Sequence, residues 1–235
     1  MSGSIRLFVP ASLAAGATVQ ASAAQAHYLG TVMRRGSGDA VRLFNGRDGE
    51  WGAHLAALRR NEASFVVDAK LRPQEAEPDI WLGFALLKRD ATDLVVRQAT
   101  ELGVAAIWPV LTARTNVQRV NLDRLHAIAI EAAEQSERLT VPAIHAPRPL
   151  AALLDAWPVA RPLIVAAERI QAPAIAACPG PVALMIGPEG GFTPAELDVL
   201  RVHPLVRLAS LGTLILRAET AAIAGLARLQ GAGCG

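Results

Sequence analysis

The chain has 235 residues, 52% hydrophobic, 19% charged and only 4% aromatic, a composition that describes a globular protein with an aliphatic core and excludes global disorder. No stretch reaches the roughly 18 consecutive apolar residues of a membrane-spanning helix, because Arg, Asp or Glu interrupts every long run. The net charge of +2 is uneven: through Arg72 there are nine Lys/Arg against five Asp/Glu, and beyond it fourteen against sixteen, so the N-terminal third is the basic part and suits a phosphate-rich partner.

The N-terminal MSGSIRLFVPASLAAG lacks a basic region followed by a sustained apolar core, so no secretory signal is expected and the expected location is the cytoplasm. Ala23 to Arg35 carries apolar residues at helical spacing and ends at Gly36-Ser37-Gly38. Asp39 to Gly46 alternates at period two, and Asn45-Gly46 and Asp48-Gly49 supply residues for tight connections. EWGAHLAALRR and ASFVVDAKLR are two more strand candidates, which makes a small antiparallel β-barrel or sheet. Between Arg72 and Asp79, RPQEAEPD is polar, acidic and carries two prolines, the composition of a linker.

Beyond it strands alternate with helices. Ile80 to Leu87 is a near-continuous apolar run, as in a strand buried on both faces of a parallel sheet. Asp90 is placed to cap the next helix, and Gly103 suits its left-handed end. Val104 to Val110 is a second buried strand, followed by a helix over Asp123 to Arg138. VPAIHAP, PLIVAAE and VALMIG are further strands. Alternation of this kind predicts an α/β fold with a mainly parallel sheet, since parallel neighbours require crossover connections. Cys178 and Cys234 show neither a disulfide framework nor metal-ligand spacing, and no metal is expected.

The strand Val182 to Ile186 runs directly into Gly187-Pro188-Glu189-Gly190-Gly191, and Thr193, Pro194 and Glu196 then form a capping box at N-cap, N1 and N3. Glycines in so short a loop let a ligand approach the backbone. The loop is neither a Walker loop nor a G-x-G-x-x-G fingerprint, and on its own it reads equally as a plain strand-to-helix turn. In VRLASLGTLILRAETAAIAGLARLQ, Val206 to Gln230, a strand passes Leu211-Gly212 and enters an Ala-rich helix. Arg217 and Glu219 near its start form either a local ion pair or part of a substrate pocket.

Four segments, RQATELGV (Arg97 to Val104), EAAEQSER (Glu131 to Arg138), IGPEGGFTPAEL (Ile186 to Leu197) and LGTLILRAETA (Leu211 to Ala221), resemble the successive motifs of the RsmE family, 16S rRNA (uracil-N3)-methyltransferases of the SPOUT superfamily. The N-terminal FVP and HYLGTVMRRGSGDAVRLFNGRDGEW follow that family's opening pattern. The resemblance implies a PUA-like β-barrel RNA-binding domain over residues 1–72, a linker over 73–79, and a SPOUT α/β methyltransferase domain with a trefoil knot over 80–235. It implies a homodimer that binds S-adenosyl-L-methionine and methylates N3 of a uridine, the family's uridine 1498, in 16S rRNA of the assembled small ribosomal subunit. The first loop carries cofactor positions Gly187, Glu189, Gly190 and Gly191; the second carries Leu211, Gly212, Ile215 and Leu216. Arg217, Glu219 and Thr220 occupy the catalytic R-x-E-T positions, while Glu134 and Gln135 are motif positions that shape the pocket or the dimer contact. Arg6, Arg34, Arg35, Arg42 and Arg59 are the candidate RNA contacts of the basic domain.

The chain departs from the family at three places: Leu214 stands where an arginine is customary, Arg97-Gln98 replaces a Gln-Lys pair, and the Arg114 to Asp123 connection is short and lacks its lysines. Two other functions fit the same motifs: a SPOUT ribose 2′-O-methyltransferase and a catalytically silent RNA-binding protein.

Overall fold

The computed structural model describes residues 5–59, 62–167, 171–178 and 180–231. Arg60, Glu168 and Cys234, which the strand and cysteine expectations touched, lie outside the described residues. The chain divides into two compact units, Met1–Ala76 with Ala133–Val141, and Glu77–Ala132 with Pro142–Gly235.

The first unit holds strands β1 (Ile5–Phe8), β2 (Thr18–Gln20), β3 (Ala40–Phe44), β4 (Glu50–Arg59) and β5 (Glu62–Arg72) in the order β1-β3-β4-β5-β2. All pairings are antiparallel except β1 with β3. Register shifts along β4 and β5 bend that long hairpin, and its inward side chains, Leu55, Phe65 and Val67 among them, join Leu7, Leu29 and Leu43 in one core. Helix α1 (Ala23–His27) starts on a reciprocal capping box between Ser22 and Gln25, then widens into a π turn over Tyr28–Val32. The expected helix thus ends three residues early, and Arg34 turns left-handed at φ 50°. In the β3 to β4 turn the positive φ values belong to Gly46 and Gly49, and a Cβ on Gly49 would sit 2.2 Å from the Arg72 carbonyl oxygen.

The second unit is a seven-stranded sheet in which every pairing is parallel. Its strands are β6 (Ile80–Ala85), β7 (Ala106–Leu111), β8 (Ala143–Ile144), β9 (Arg148–Pro149), β10 (Leu163–Ala166), β11 (Val182–Ile186) and β12 (Val206–Ala209). They run in the order β12-β10-β11-β6-β7-β8, with β9 also on β7. Helices α2 (Arg89–Glu101), α3 (Leu122–Gln135), α4 (Leu150–Asp155), α5 (Pro194–Val202) and α6 (Ala218–Gln230) make the crossovers. β11 is buried at all five positions, which is why its sequence is an unbroken apolar run. α6 packs on α2, β6 and β11.

Two local expectations need correction. Asp90 lies inside the first turn of α2; Lys88 is the N-cap and no side chain caps the helix, while Thr92 Oγ1 donates to the Leu87 carbonyl. The helix expected to run to Arg138 stops at Gln135, where Glu137 adopts φ 60°. Gly103 does take the left-handed end of α2, at φ 74°.

Candidate active site

At the carboxyl ends of β10 and β11 the sheet opens into a cavity of about 780 Å³. This is where open parallel sheets bind ligands, outside the strand ends, and the volume falls in the range of small-molecule sites. Two loops wall it. The first follows β11 and contributes Gly187, Glu189, Gly190 and Gly191; the second follows β12 and contributes Leu211, Gly212, Ile215 and Leu216. All eight cofactor positions read from sequence therefore line one cavity.

The loops are held from behind. Thr193 and Glu196 make the capping box of α5 in both directions, with the Thr193 amide donating to Glu196 Oε2 at 2.8 Å and the Glu196 amide to Thr193 Oγ1 at 3.3 Å. Glu196 Oε1 also accepts from the Ala113 amide at 2.7 Å, so one carboxylate joins the first loop to the connection after β7. Gly191 sits at φ 69° and Gly212 at φ 121°, conformations in which any other residue is strained. On the second loop, Ser210 Oγ bonds both the amide (3.1 Å) and the carbonyl (3.2 Å) of Gly212.

Other wall residues were not among the cofactor positions read from sequence. Ala166 and Ala167 end β10, Phe192 closes the floor beside Gly187, and Arg114 reaches in from the β7 to α3 connection. Arg114 Nη1 donates to the Gly190 carbonyl at 2.5 Å, and its Cδ lies 3.2 Å from where a Cβ on Gly190 would be. Position at the end of a parallel strand was the available signal for the alanines; nothing in the spacing marks Arg114.

Leu216, Ala218 and Ala221 line the cavity, whereas Arg217, Glu219 and Thr220, their neighbours in sequence, do not. Arg217 is the N-cap of α6, with extended backbone and no capping side chain. Arg217 and Thr220 are exposed and Glu219 is half-buried. Among the described residues no ion pair joins Arg217 to Glu219, so of the two readings left open by sequence the local pair falls away. Glu134 does not shape the cavity: its Oε1 accepts from the Phe8 amide at 2.9 Å within the first unit, and Gln135 is exposed.

The five candidate RNA arginines divide. Arg34 and Arg59 are exposed, and Arg35 is half-buried. Arg42 is tied to Glu137 at 2.8 Å and lies 3.6 Å from Glu50. Arg6 is not available to a phosphate: it is 6% exposed, its Nε bonds Glu50, its Nη1 donates to the Ala133 carbonyl at 2.6 Å, and its guanidinium stacks on Phe44 at 3.7 Å. Burial pulls this guanidinium below its ordinary value, opposed by the hydrogen bond to Glu50. Sequence shows only that Arg6 is basic; the fold shows that it is spent.

Among the described residues no group of three His, Cys, Asp or Glu side chains is placed to hold a metal ion, and no helix is long and apolar enough to cross a membrane.

Residues 74–230 match the RNA methyltransferase domain family, and residues 22–68 match the RNA methyltransferase PUA domain. The chain is 34% identical to ribosomal RNA small subunit methyltransferase E of Rickettsia conorii over 97% of each protein. It is equally similar, at 34%, to the protein of that name from Synechocystis over 96% of this chain and 77% of the other. The fold matches the ribosomal RNA small subunit methyltransferase E of Neisseria gonorrhoeae bound to S-adenosyl methionine, with TM-score 0.85, 29% identity and 97% and 98% of the two chains covered. A methyltransferase of Legionella pneumophila solved with bound cofactor SAM superposes with TM-score 0.87 at 29% identity, over 98% of each chain.

Proposed function

The chain belongs to the ribosomal RNA small subunit methyltransferase E family, and from that premise we propose that it methylates N3 of a uridine in small-subunit ribosomal RNA with S-adenosylmethionine as donor. One observation carries the reading: two loops separated in sequence by α5 and β12, each read as a cofactor motif, line a single cavity at the carboxyl ends of β10 and β11. The walls suit the cofactor. Backbone amides and carbonyls of Gly187, Glu189, Gly190 and Gly191 on one side, and of Leu211 and Gly212 on the other, are there to hold its polar groups, and Phe192, Ile215 and Leu216 to cover its apolar ones.

Bound there, S-adenosylmethionine supplies an electrophilic methyl, which uridine N3 takes while losing its proton, so that an N–C bond replaces the S–C bond and S-adenosylhomocysteine leaves. N3 is a poor nucleophile while protonated, so the site must favour the anionic uracil. Arg217, exposed between the cavity-lining Leu216 and Ala218 and free of an ion pair among the described residues, is assigned that task; a charge aimed at developing charge is worth about 3–4 kcal/mol. Glu219, which follows Ala218, is assigned the N3 proton, with Thr220 beside it. N3 lies on the Watson–Crick edge, so the target base must be unpaired or extruded. Arg34, Arg35 and Arg59 are proposed to hold surrounding phosphates. A homodimer is supported by Leu214 and Ile215, 78% and 59% exposed on the second loop, where apolar side chains ask for a cover. Return of α6 against β6 and β11, after the loops, supports the knotted thread. A ribosomal RNA substrate is consistent with a cytoplasmic location and with action on the assembled subunit.

Calorimetry of the pure protein with S-adenosylmethionine tests the cavity, and absence of binding by folded protein refutes the reading. Arg217→Ala is expected to lower methyl transfer by about 100-fold or more with cofactor affinity retained; equal turnover removes Arg217 from the chemistry. Mass spectrometry of digested RNA separates N3 from ribose methylation.

A further inference from the structure

The cofactor cavity does not end at the first loop. Arg114, Glu189 and Gly190 also wall a second cavity of about 630 Å³, so these three residues form a partition with a space on each side. The floor of the second cavity is apolar, made by the buried Leu86 and Leu87 that follow β6 and by Val117. Lys88 and Asn116 stand at its rim, both exposed. Leu86, Leu87 and Val117 in turn wall a third cavity of about 320 Å³, rimmed by Arg89, Arg119 and Arg124. The three spaces form a row along the carboxyl ends of β11, β6 and β7, within one unit.

Charge along that row is lopsided. Arg124 is neutralised by Asp93, and Arg114 is bonded to the Gly190 carbonyl. Lys88, Arg89 and Arg119 are exposed and join no ion pair among the described residues. No packing or pairing in the fold accounts for them. A void with apolar floor and amide rim, next to a methyl-donor cavity and continued by a row of free cations, has the makings of a single-stranded nucleic-acid path: a base needs an apolar face to lie on, and its flanking phosphates need cations.

Resting on the proposed methyl transfer, we infer that the second cavity receives the base next to the acceptor uridine, whose own base meets the methyl in the first cavity, and that Lys88, Arg89 and Arg119 hold the phosphates of the strand leading from it. The catalytic unit then carries its own RNA path, beside any contribution from the basic N-terminal unit. Asn116 offers an amide to the edge of that neighbouring base, and Arg114 holds the Gly190 wall between the two cavities.

The test is fluorescence anisotropy of a labelled single-stranded oligouridylate against the parent and a Lys88→Ala/Arg89→Ala/Arg119→Ala variant across a salt series. All three side chains are exposed, so the fold is retained, and calorimetry with S-adenosylmethionine checks it: affinity should stay within about twofold. The variant is expected to bind the oligonucleotide at least about 10-fold more weakly at 0.1 M salt, with the slope of log affinity against log salt reduced by about 2, near 0.7 for each lost phosphate contact. Binding within threefold of the parent with an unchanged slope overturns the inference, as does a parent that does not bind the oligonucleotide. Methyl transfer by the parent to unmodified small subunits is read separately. Transfer without an effect of the variant sinks the path and leaves the proposed function standing; an effect on binding without transfer by the parent does the reverse.

Discussion

The two units place most of their charge differently. In the first, a buried carboxylate organises the structure: Glu50, 1% exposed, bonds Arg6, accepts from Arg72 Nε at 2.9 Å and lies 3.6 Å from Arg42. Arg6 and Arg72 go on to the Ala133 and Glu137 carbonyls, and Arg42 to the Glu137 carboxylate, so one acid ties β1, β3 and β5 to the segment after α3. In the second unit the cavity is walled mostly by glycines and aliphatic side chains, with Arg114 and Glu189 as the charged members of the wall. Buried charge serves architecture in both units, through Glu50 in the first and through Arg161, bonded to Asp79 and set over Trp81, in the second, but the cavity of the second unit leaves bare backbone open. Counting arginines therefore misleads: Arg6 is buried in an ion cluster, whereas Arg217 is exposed.

The largest effect that separates the two should come from Glu50→Ala. Removing one partner of a buried ion cluster leaves guanidinium groups uncompensated, at a cost of about 3–5 kcal/mol. Urea unfolding followed by the fluorescence of Trp51 should show this as a lowered midpoint. A loss under about 1 kcal/mol would mean that solvent reaches the cluster and that the contrast is wrong.

Gly191→Ala should do less to stability and more to the cofactor. A left-handed backbone at φ 69° costs an alanine about 1 kcal/mol, and relief of that strain moves the first loop. The expected outcome is an S-adenosylmethionine affinity lowered by about 10-fold in calorimetry, with an unfolding midpoint close to the parent's. Unchanged affinity would place the cofactor's contacts away from this loop.

The parallel sheet was legible because its central strands are buried on both faces, which writes apolar runs such as Val182 to Ile186 into the chain. The capping box at Thr193 and Glu196 was legible because it is local, three residues wide. What spacing does not encode is partnership across the chain. The Ala133–Val141 segment joins the first unit through Glu134 and Glu137, whose partners Phe8 and Arg42 lie 126 and 95 residues away. The Arg114 bond to Gly190 spans 76 residues. Asp90 failed as a cap because α2 starts before it, at Arg89, which puts Asp90 inside the first turn. The family motifs located the cavity walls, yet they said nothing of which arginines are buried.

The smallest effect, and the one that sharpens the contrast between the units, is in acid. In the first unit the Leu13 amide and then Asn45 hold Asp48 below the usual carboxylate range, and the hydrogen bond from Arg42 does the same for Glu137. Depressed acids add stability above their unfolded values, about 4, and that stability is lost as pH falls through the lowered values. In the second unit His145 stacks on Trp108 with centroids 3.4 Å apart, and burial first, then Arg148, pushes its imidazole below the ordinary histidine value. A base lowered on folding contributes stability that is complete above about 6.5 and lost as pH falls from there toward the lowered folded value. The second unit should therefore weaken at a higher pH than the first. Histidine NMR should place the His145 midpoint below that of a free histidine, and Trp108 emission should change with the same midpoint because the charged ring sits against the indole. His145→Phe keeps the stack and removes the proton, so it should abolish the near-neutral step in Trp108 emission and leave the acid loss of the first unit, below about pH 4, in place. A step that survives the substitution would assign it to another group and end the distinction between the two pH windows.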